Sequence, residues 1–391
     1  MAIRIDPAVL RDMRQYGAFD IEACFNCGNC TAVCPLSKGD VAFPRRVIRY
    51  AQLGLPDHMA ASRELWLCYH CAECSTTCPR QAEPGQFMAA ARRYATARFD
   101  PTTLARRLYR SAGFAWGALV VLFVVMVVVL LAGSPGLPSG RATTESLLTF
   151  VPFDVIHWLG LGVVVVMVLA AIATLVNMFW MLGRAPVPGG AGLPSSLPER
   201  FPLGAALRAL GATISDIARQ RTYRDCDSAK TEGAEPLPLR RWLVHFCIMW
   251  GMIGLALATV LDYVFKTPGS DVPTYYPIRL LGTIAGLALV YGTTVAIVQR
   301  MRKPDKYYAD TALSDWMFLG FLWLIGVGGF ILEIAEYAPI GGIWVDIVFL
   351  VHIALAMELI LLLPFTKFAH IVYRPAAMWF NEFRRLRAGG L

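Results

Sequence analysis

Between Gly113 and Ala132 the chain reads GFAWGALVVLFVVMVVVLLA, twenty residues without a single charge. At about 1.5 Å of rise per residue, a helix of that length covers about 30 Å, the hydrocarbon thickness of a bilayer. A helix that is apolar on every side has no solvent face, so it belongs in a membrane or a deep core. Downstream, Val155–Leu182, Trp242–Phe265, Ile278–Val298, Asp315–Ile334 and Ile343–Phe368 repeat the pattern. The fifth of these six runs holds four glycines, a frequent residue in membrane helices, and ends near Glu333 and Glu336. Six spans account for a chain of 391 residues that is 56% apolar, only 16% charged and of mean hydropathy +0.51. Ordinary globular domains carry about 25% charged residues.

Upstream, residues 1–112 contain no run long enough to span, and Met1–Leu10 lacks the apolar stretch of a signal peptide. The 183–241 loop falls into three parts. Arg184–Pro202 is rich in Pro and Gly and reads as extended linker. Leu203–Arg221 has helical spacing, either of an interfacial helix or of one packed on the soluble domain. Asp225–Pro238 is polar and reads as mobile. Six spans put 33 of the 36 Lys and Arg on one side, leaving Arg141, Lys266 and Arg279 on the other. The positive-inside rule then places both termini and the 1–112 domain in the cytoplasm, with the bundle in a bacterial inner membrane. The net charge of +8 therefore orients the spans and meets anionic lipid; it is no nucleic-acid signature. The tail Tyr373–Leu391 alternates aromatic and basic residues and reads as an amphipathic helix on the inner leaflet.

The soluble part carries eight of the ten cysteines. Cys24, Cys27, Cys30 and Cys34, followed by Pro35, are matched in spacing by Cys68, Cys71, Cys74 and Cys78, followed by Pro79. Three closely spaced thiolates wrap one face of a cubane, and the fourth reaches the other cluster in two-cluster ferredoxins. The ligand sets are thus Cys24, Cys27, Cys30 and Cys78 for one [4Fe–4S] cluster, and Cys68, Cys71, Cys74 and Cys34 for the other. Zinc sites use paired motifs without the trailing proline, and disulfides do not suit a reducing cytoplasm. Cys226 and Cys247 have no partner pattern. Phe43–Leu53 and Glu83–Arg98 have helical spacing, so this domain is mainly α.

Four histidines lie in or beside spans, where ionisable residues are rare and usually functional. His352 and His370 are about five helical turns apart on one face of the sixth span, with Pro364 between them to kink it. By depth, His157 pairs with His352 in the outer leaflet and His245 with His370 in the inner one. Such pairs are axial ligands for two b haems. Asp154, Glu333, Glu336 and Asp346 are candidate proton carriers beside the outer pair. Glu358, in mid-span, is a costly placement that suits a haem propionate contact, a proton path or a protonated packed acid.

The fold class is therefore all-α: a helical two-[4Fe–4S] ferredoxin-like domain (1–112), a six-helix transmembrane dihaem b bundle (113–373) and a basic tail (374–391). The cysteine motifs resemble the small iron–sulfur subunit of heterodisulfide reductase. The six-span part with His352 and His370 resembles that enzyme's dihaem b subunit and the nitrate reductase gamma subunit. Their fusion in one chain is similar to the membrane-subunit family of quinone-interacting membrane-bound oxidoreductase complexes. That resemblance implies a quinone substrate (menaquinone or ubiquinone), two cytoplasmic flavin/iron–sulfur partner subunits and adenylylsulfate reductase as client. The departure lies in the remaining haem ligands: gamma-type subunits place them on one helix, whereas His157 and His245 sit on two. The alternatives are a heterodisulfide- or sulfite-linked client and a haem-free membrane anchor for a ferredoxin module.

Overall fold

The structure is a computed structural model that describes the chain except residues 1–4, 39–40, 135, 139, 142, 185–201, 232–234, 266–271, 274, 339 and 389–391. The linker expected over 184–202 and the far-side Lys266 fall in or almost wholly in those omitted stretches. Among the described residues every regular element is a helix. In the cysteine-rich part, α1 (Arg45–Gln52) and α2 (Pro84–Phe99) match the expected helices within two residues at either end. Helix α3 (Leu104–Arg110) leads into the first span. The buried Asp100 carboxylate accepts from the Thr102 and Ala105 backbone N–H groups, at 2.8 Å each, and so caps α3.

Among the described residues, six helices are long and apolar enough to cross a membrane. They are α4 (Ala112–Ala132), α5 (Phe153–Arg184), α8 (Arg241–Phe265), α9 (Pro277–Arg302), α10 (Leu313–Tyr337) and α11 (Ile343–Leu362). Between α5 and α8 lie α6 (Leu203–Arg219) and α7 (Arg221–Thr231), and α12 (His370–Ala388) ends the chain. Helices α8 and α9 make the closest pair. A Cβ added at Gly251 would stand 2.8 Å from the Ala285 carbonyl oxygen, and one at Gly292 would stand 2.9 Å from that of Val244. Small residues let the two backbones touch, which is how helices pack where lipid removes the hydrophobic drive.

The sixth span differs from the expected continuous helix to Phe368. Helix α11 stops at Leu362 and is followed by two 3-10 turns, Leu363–Phe365 and Lys367–Ala369. Pro364 has no N–H to give and its ring crowds the carbonyl one turn back, while Thr366 is fully extended. His370 therefore opens a new helix and does not share a helix face with His352.

The tail also differs. Tyr373 and Ala377 of α12 are fully buried, in one core with Val47, Phe87 and Trp66 of the cysteine-rich part and Met178 of α5. The Trp379 indole donates to the Ala206 carbonyl (3.1 Å) and its ring stacks on Phe383. The apolar face expected on the leaflet is thus packed inside the protein, against α6. Helix α6 itself has two apolar faces: Ala206 and Ala209 are buried, while Leu203, Leu207, Leu210 and Ile214 are exposed. Asp225–Thr231, expected to be mobile, is the body of α7. Its polar composition misled because Asp227 makes a buried ion pair with Arg241, 2.9 Å long.

Candidate functional site

The two cysteine motifs fold alike. Asn26 and Gly28 in the first, and His70 and Ala72 in the second, all have positive φ, and each pair leads into a one-turn helix, Asn29–Ala32 or Glu73–Thr76. The corresponding positive-φ residues give the two motifs the same local backbone course. Ala72 adopts that conformation without the freedom of the glycine at its counterpart, a strain characteristic of functional loops. Cys24, Cys27, Cys30 and Cys78 are electrostatic neighbours, as are Cys34, Cys68, Cys71 and Cys74. The crossed grouping is the one expected of two clusters. Burial together with the neighbouring Cys24 pushes the Cys30 thiol up to about 11. Backbone N–H groups of His70 and Ala82 donate to the sulfurs of Cys68 (3.3 Å) and Cys78 (3.4 Å). Such bonds tune a cluster's potential.

From Cys68 a run of aromatic rings leads into the bundle. The Arg374 guanidinium lies 3.7 Å over the Tyr69 ring and donates to the Cys68 carbonyl, which also accepts from Arg92. Tyr69 stacks on Tyr223 of α7, with centroids 5.2 Å apart, and Tyr223 meets His245 of α8 edge-on at 5.4 Å. His245 then faces His370 at 6.4 Å. Burial holds the phenols of Tyr69 and Tyr223 above the usual tyrosine range. Burial likewise pushes His370 down to about 4, so all three are neutral at physiological pH.

The separation of His245 and His370 is the test for a haem there. Metal–imidazole bonds of about 2 Å, plus about 1 Å from nitrogen to ring centre, require centroids about 6 Å apart. The observed 6.4 Å fits. Both imidazoles are oriented from behind, as ligating histidines require. His370 Nδ1 donates to the Lys367 carbonyl at 2.6 Å, and His245 Nδ1 lies 2.8 Å from the Gln220 amide. The Gln220 Oε1 has no partner among the described residues. Turning the amide, whose two ends are alike in shape, lets the Gln220 Oε1 accept the His245 Nδ1 proton and leaves the imidazole Nε2 of His245 free to accept or ligate. Gln220 is the left-handed corner between α6 and α7.

The structure does not join the other two histidines. His157 lies parallel to Tyr263, 5.0 Å away, and also stacks on Phe153. His352 lies against Gly328 and Gly329, and its Nδ1 has no hydrogen-bond partner among the described residues. No ring contact connects the two. Of the candidate carboxylates, Glu333 and Glu336 both pair with Arg279, and Glu333 accepts from Thr283 (2.6 Å). Asp346 accepts from the Gly140 backbone N–H at 2.8 Å, and Asp154 is exposed. Glu358 is fully buried with both oxygens unpartnered among the described residues.

Sequence reasoning did not select Tyr69, Gln220, Tyr223 or Arg374. The aromatic beside Cys68 was a usable signal for the first; nothing in a polar stretch marks the others. His70 meets Arg92 and the edge of Tyr307. Cys226 is buried on α7.

Residues 20–82, which hold all eight motif cysteines, match the 4Fe-4S dicluster domain family. The chain is 25% identical over 248 residues to one subunit of the dihydromethanophenazine:CoB–CoM heterodisulfide reductase of Methanosarcina mazei, covering 57% of this chain and 95% of that protein. It is 24% identical over 290 residues to citrate utilization protein B of Escherichia coli, covering 73% of this chain and 71% of that protein. One subunit of the H(2):CoB-CoM heterodisulfide,ferredoxin reductase of Methanothermobacter thermautotrophicus is 33% identical over 63 residues, 16% of this chain and 34% of that protein. No solved structure matches. The chain therefore contains a 4Fe-4S dicluster domain, its six long apolar helices indicate a multi-pass membrane protein, and its relatives include subunits of oxidoreductase complexes.

Proposed function

We propose that this chain is a membrane electron-transfer subunit, passing electrons singly between a lipid-soluble quinone and redox subunits docked on its cluster side. The observation that carries the reading is the unbroken run from Cys68 through Tyr69, Tyr223 and His245 to His370. Two [4Fe–4S] clusters on the eight cysteines and a b haem between His245 and His370 supply one-electron chemistry when bound. Lys367 and Gln220 hold the two imidazoles in the tautomer a metal needs. Tyr69 and Tyr223 fill the space between Cys68 and His245 with packed rings and keep water out of it. Asp227, paired with Arg241, fixes the helix that carries Tyr223.

The finer reading has a cytoplasmic cluster domain, two flavin/iron–sulfur partner subunits and adenylylsulfate reductase as client; it is supported by the resemblance of the fused architecture. A second reading is favoured by the match that spans both parts of the chain, that to citrate utilization protein B. The same route would then serve an enzyme of carboxylate utilisation. Identifying the soluble subunits that copurify with the intact chain separates the two.

The electron route is tested by rapid reduction of the purified chain with a quinol analogue, following haem absorbance and cluster EPR. Tyr223→Leu delays cluster reduction behind haem reduction, and Tyr223→Phe restores it. A dithionite-reduced chain without b-type absorbance, or identical cluster rates in all three proteins, would overturn the reading.

A further inference from the structure

Helix α6 has three distinct sides. Leu203, Leu207, Leu210 and Ile214 are between 44% and 62% exposed, and at about 100° of turn per residue they share about 60° of the helix circumference. Ala206, Ala209 and Thr213 are buried and lie about 100° to one side of that stripe. There Ala206 and Ala209 pack against Phe383 of α12. Arg208 and Arg219 are exposed and lie about 140° to the other side. One side thus meets protein, one carries guanidinium groups to water, and the third is wholly apolar and uncovered. A contiguous exposed apolar stripe rimmed by polar residues marks an interaction surface.

Two indoles fix where that third side lies. Near the start of α6 the Ala206 carbonyl accepts from Trp379 of α12, and near its end the Ala218 carbonyl accepts from Trp250 of α8, each at 3.1 Å. Trp250 heads the exposed stripe of a membrane-crossing helix and is followed at helical spacing by Ile253, Leu257 and Val260. Ala218 borders the apolar stripe of α6, so the two stripes meet at the Trp250 indole. A ring with an apolar body and a bonded N–H suits the boundary between lipid and water. The charges agree with that depth. Arg208, Arg219, Arg221 and Arg224 are exposed over residues 203–227, against a single exposed acid, Asp225. Clustered basic side chains beside a span attract anionic lipid.

We propose that α6 lies in the plane of the cluster-side leaflet, with Leu203, Leu207, Leu210 and Ile214 seated among the acyl chains of anionic phospholipid and Arg208 and Arg219 at the headgroups. A basic helix with one apolar side is the usual form of an interfacial element. The occupant is lipid because the stripe continues the lipid-facing surface of α8; a soluble protein docked on it would have to reach across that boundary. The same helix ends at Gln220, 2.8 Å from His245 Nδ1. Seating α6 in the leaflet therefore steadies the residue behind that imidazole. The contact with lipid is independent of what the cysteines and histidines bind.

The test is photolabelling of the full-length chain in nanodiscs of phosphatidylcholine and phosphatidylglycerol, the probe being a phosphatidylglycerol with a diazirine in its acyl chain. Mapping of the labelled residues finds Leu207, Leu210 and Ile214 together with Ile253 and Leu257 of α8, and finds Arg208 and Ala212 unlabelled. Leu207→Gln combined with Ile214→Gln lowers the label on α6 several-fold and leaves that on α8 unchanged, with helical circular dichroism as the control for folding. Label on Ile253 and Leu257 with none on α6, or equal α6 label in the double variant, overturns the proposal. So does oxidation of Leu207 and Leu210 by hydroxyl radicals in the same nanodiscs, which would show a side open to water and to a soluble partner.

Discussion

His245 and His370 come from different helices and meet; His157 and His352 come from different helices and do not. The same reasoning from span depth had paired both. The near pair is built from behind: a broken helix delivers His370, the Lys367 carbonyl orients it, and Gln220 holds His245. At the far pair His352 meets a backbone group of Ile325, but nothing brings His157 to it. His157 is spent on a stack with Tyr263, and His352 faces bare glycine backbone. Depth in the membrane brings side chains to one level; the local chain path decides which of them meet.

The largest expected effect tests this difference directly. His370→Ala, or His245→Ala, removes at least half of the b-type absorbance of the dithionite-reduced chain, because one axial ligand is gone. His157→Ala leaves the near-pair signal at wild-type intensity. If His157→Ala cost as much absorbance as His370→Ala, the contrast between the two pairs would be wrong.

Next come the ion pairs at the two ends. Asp227 and Arg241 are almost completely shielded from solvent, with side-chain exposures of 0% and 5%. Asp227→Asn leaves a buried guanidinium with its charge unmatched, a loss of about 3–5 kcal/mol. It releases α7, and hydrogen exchange of Arg221–Asp227 rises with it. At the far end Arg279 contacts both Glu333 and Glu336, with side chains 14–23% exposed. Glu336→Gln leaves Glu333 in place and costs about 1 kcal/mol or less. Equal shifts in the thermal midpoint would show that the near end is not the more tightly built.

The difference between the ends also explains what the sequence could and could not disclose. Local features were legible: the repeated cysteine spacing anticipated which thiols lie near one another, and apolar runs anticipated five of the six spans to within four residues at either end, and the start of the sixth. Features that depend on two distant segments were not. Pro364 signalled a kink, but nothing local stated that the chain would turn twice and restart at His370. The stretch after Gln220 is polar because Asp227 faces a buried Arg241 across fourteen residues, and composition alone could not distinguish that from a mobile loop. The tail looked like a surface helix because the residues that cover its apolar face belong to α6 and to the cysteine-rich part.

Gln220 is the smaller test of the near pair. Loss of a partner behind a ligating histidine typically costs about 10–100-fold in metal affinity. Gln220→Ala therefore weakens haem retention by about that factor, measured by transfer to apomyoglobin, while Gln220→Glu, which keeps an acceptor on Nδ1, retains it. Unchanged retention in Gln220→Ala would assign the residue to packing alone.

Glu358 gives the smallest effect and the most pointed contrast with Asp227, since both are buried acids. Asp227 has a partner and so costs much to remove; Glu358 has none among the described residues. Replacing an unsatisfied buried polar group with an apolar one of similar shape is neutral or stabilising. Glu358→Met is accordingly expected to leave the thermal midpoint unchanged or slightly higher, and to leave haem absorbance at the near pair intact. A midpoint lowered as far as that of Asp227→Asn would mean that Glu358 has a partner it depends on. A normal midpoint combined with slowed quinol-driven cluster reduction would instead identify the carboxyl as part of a proton path.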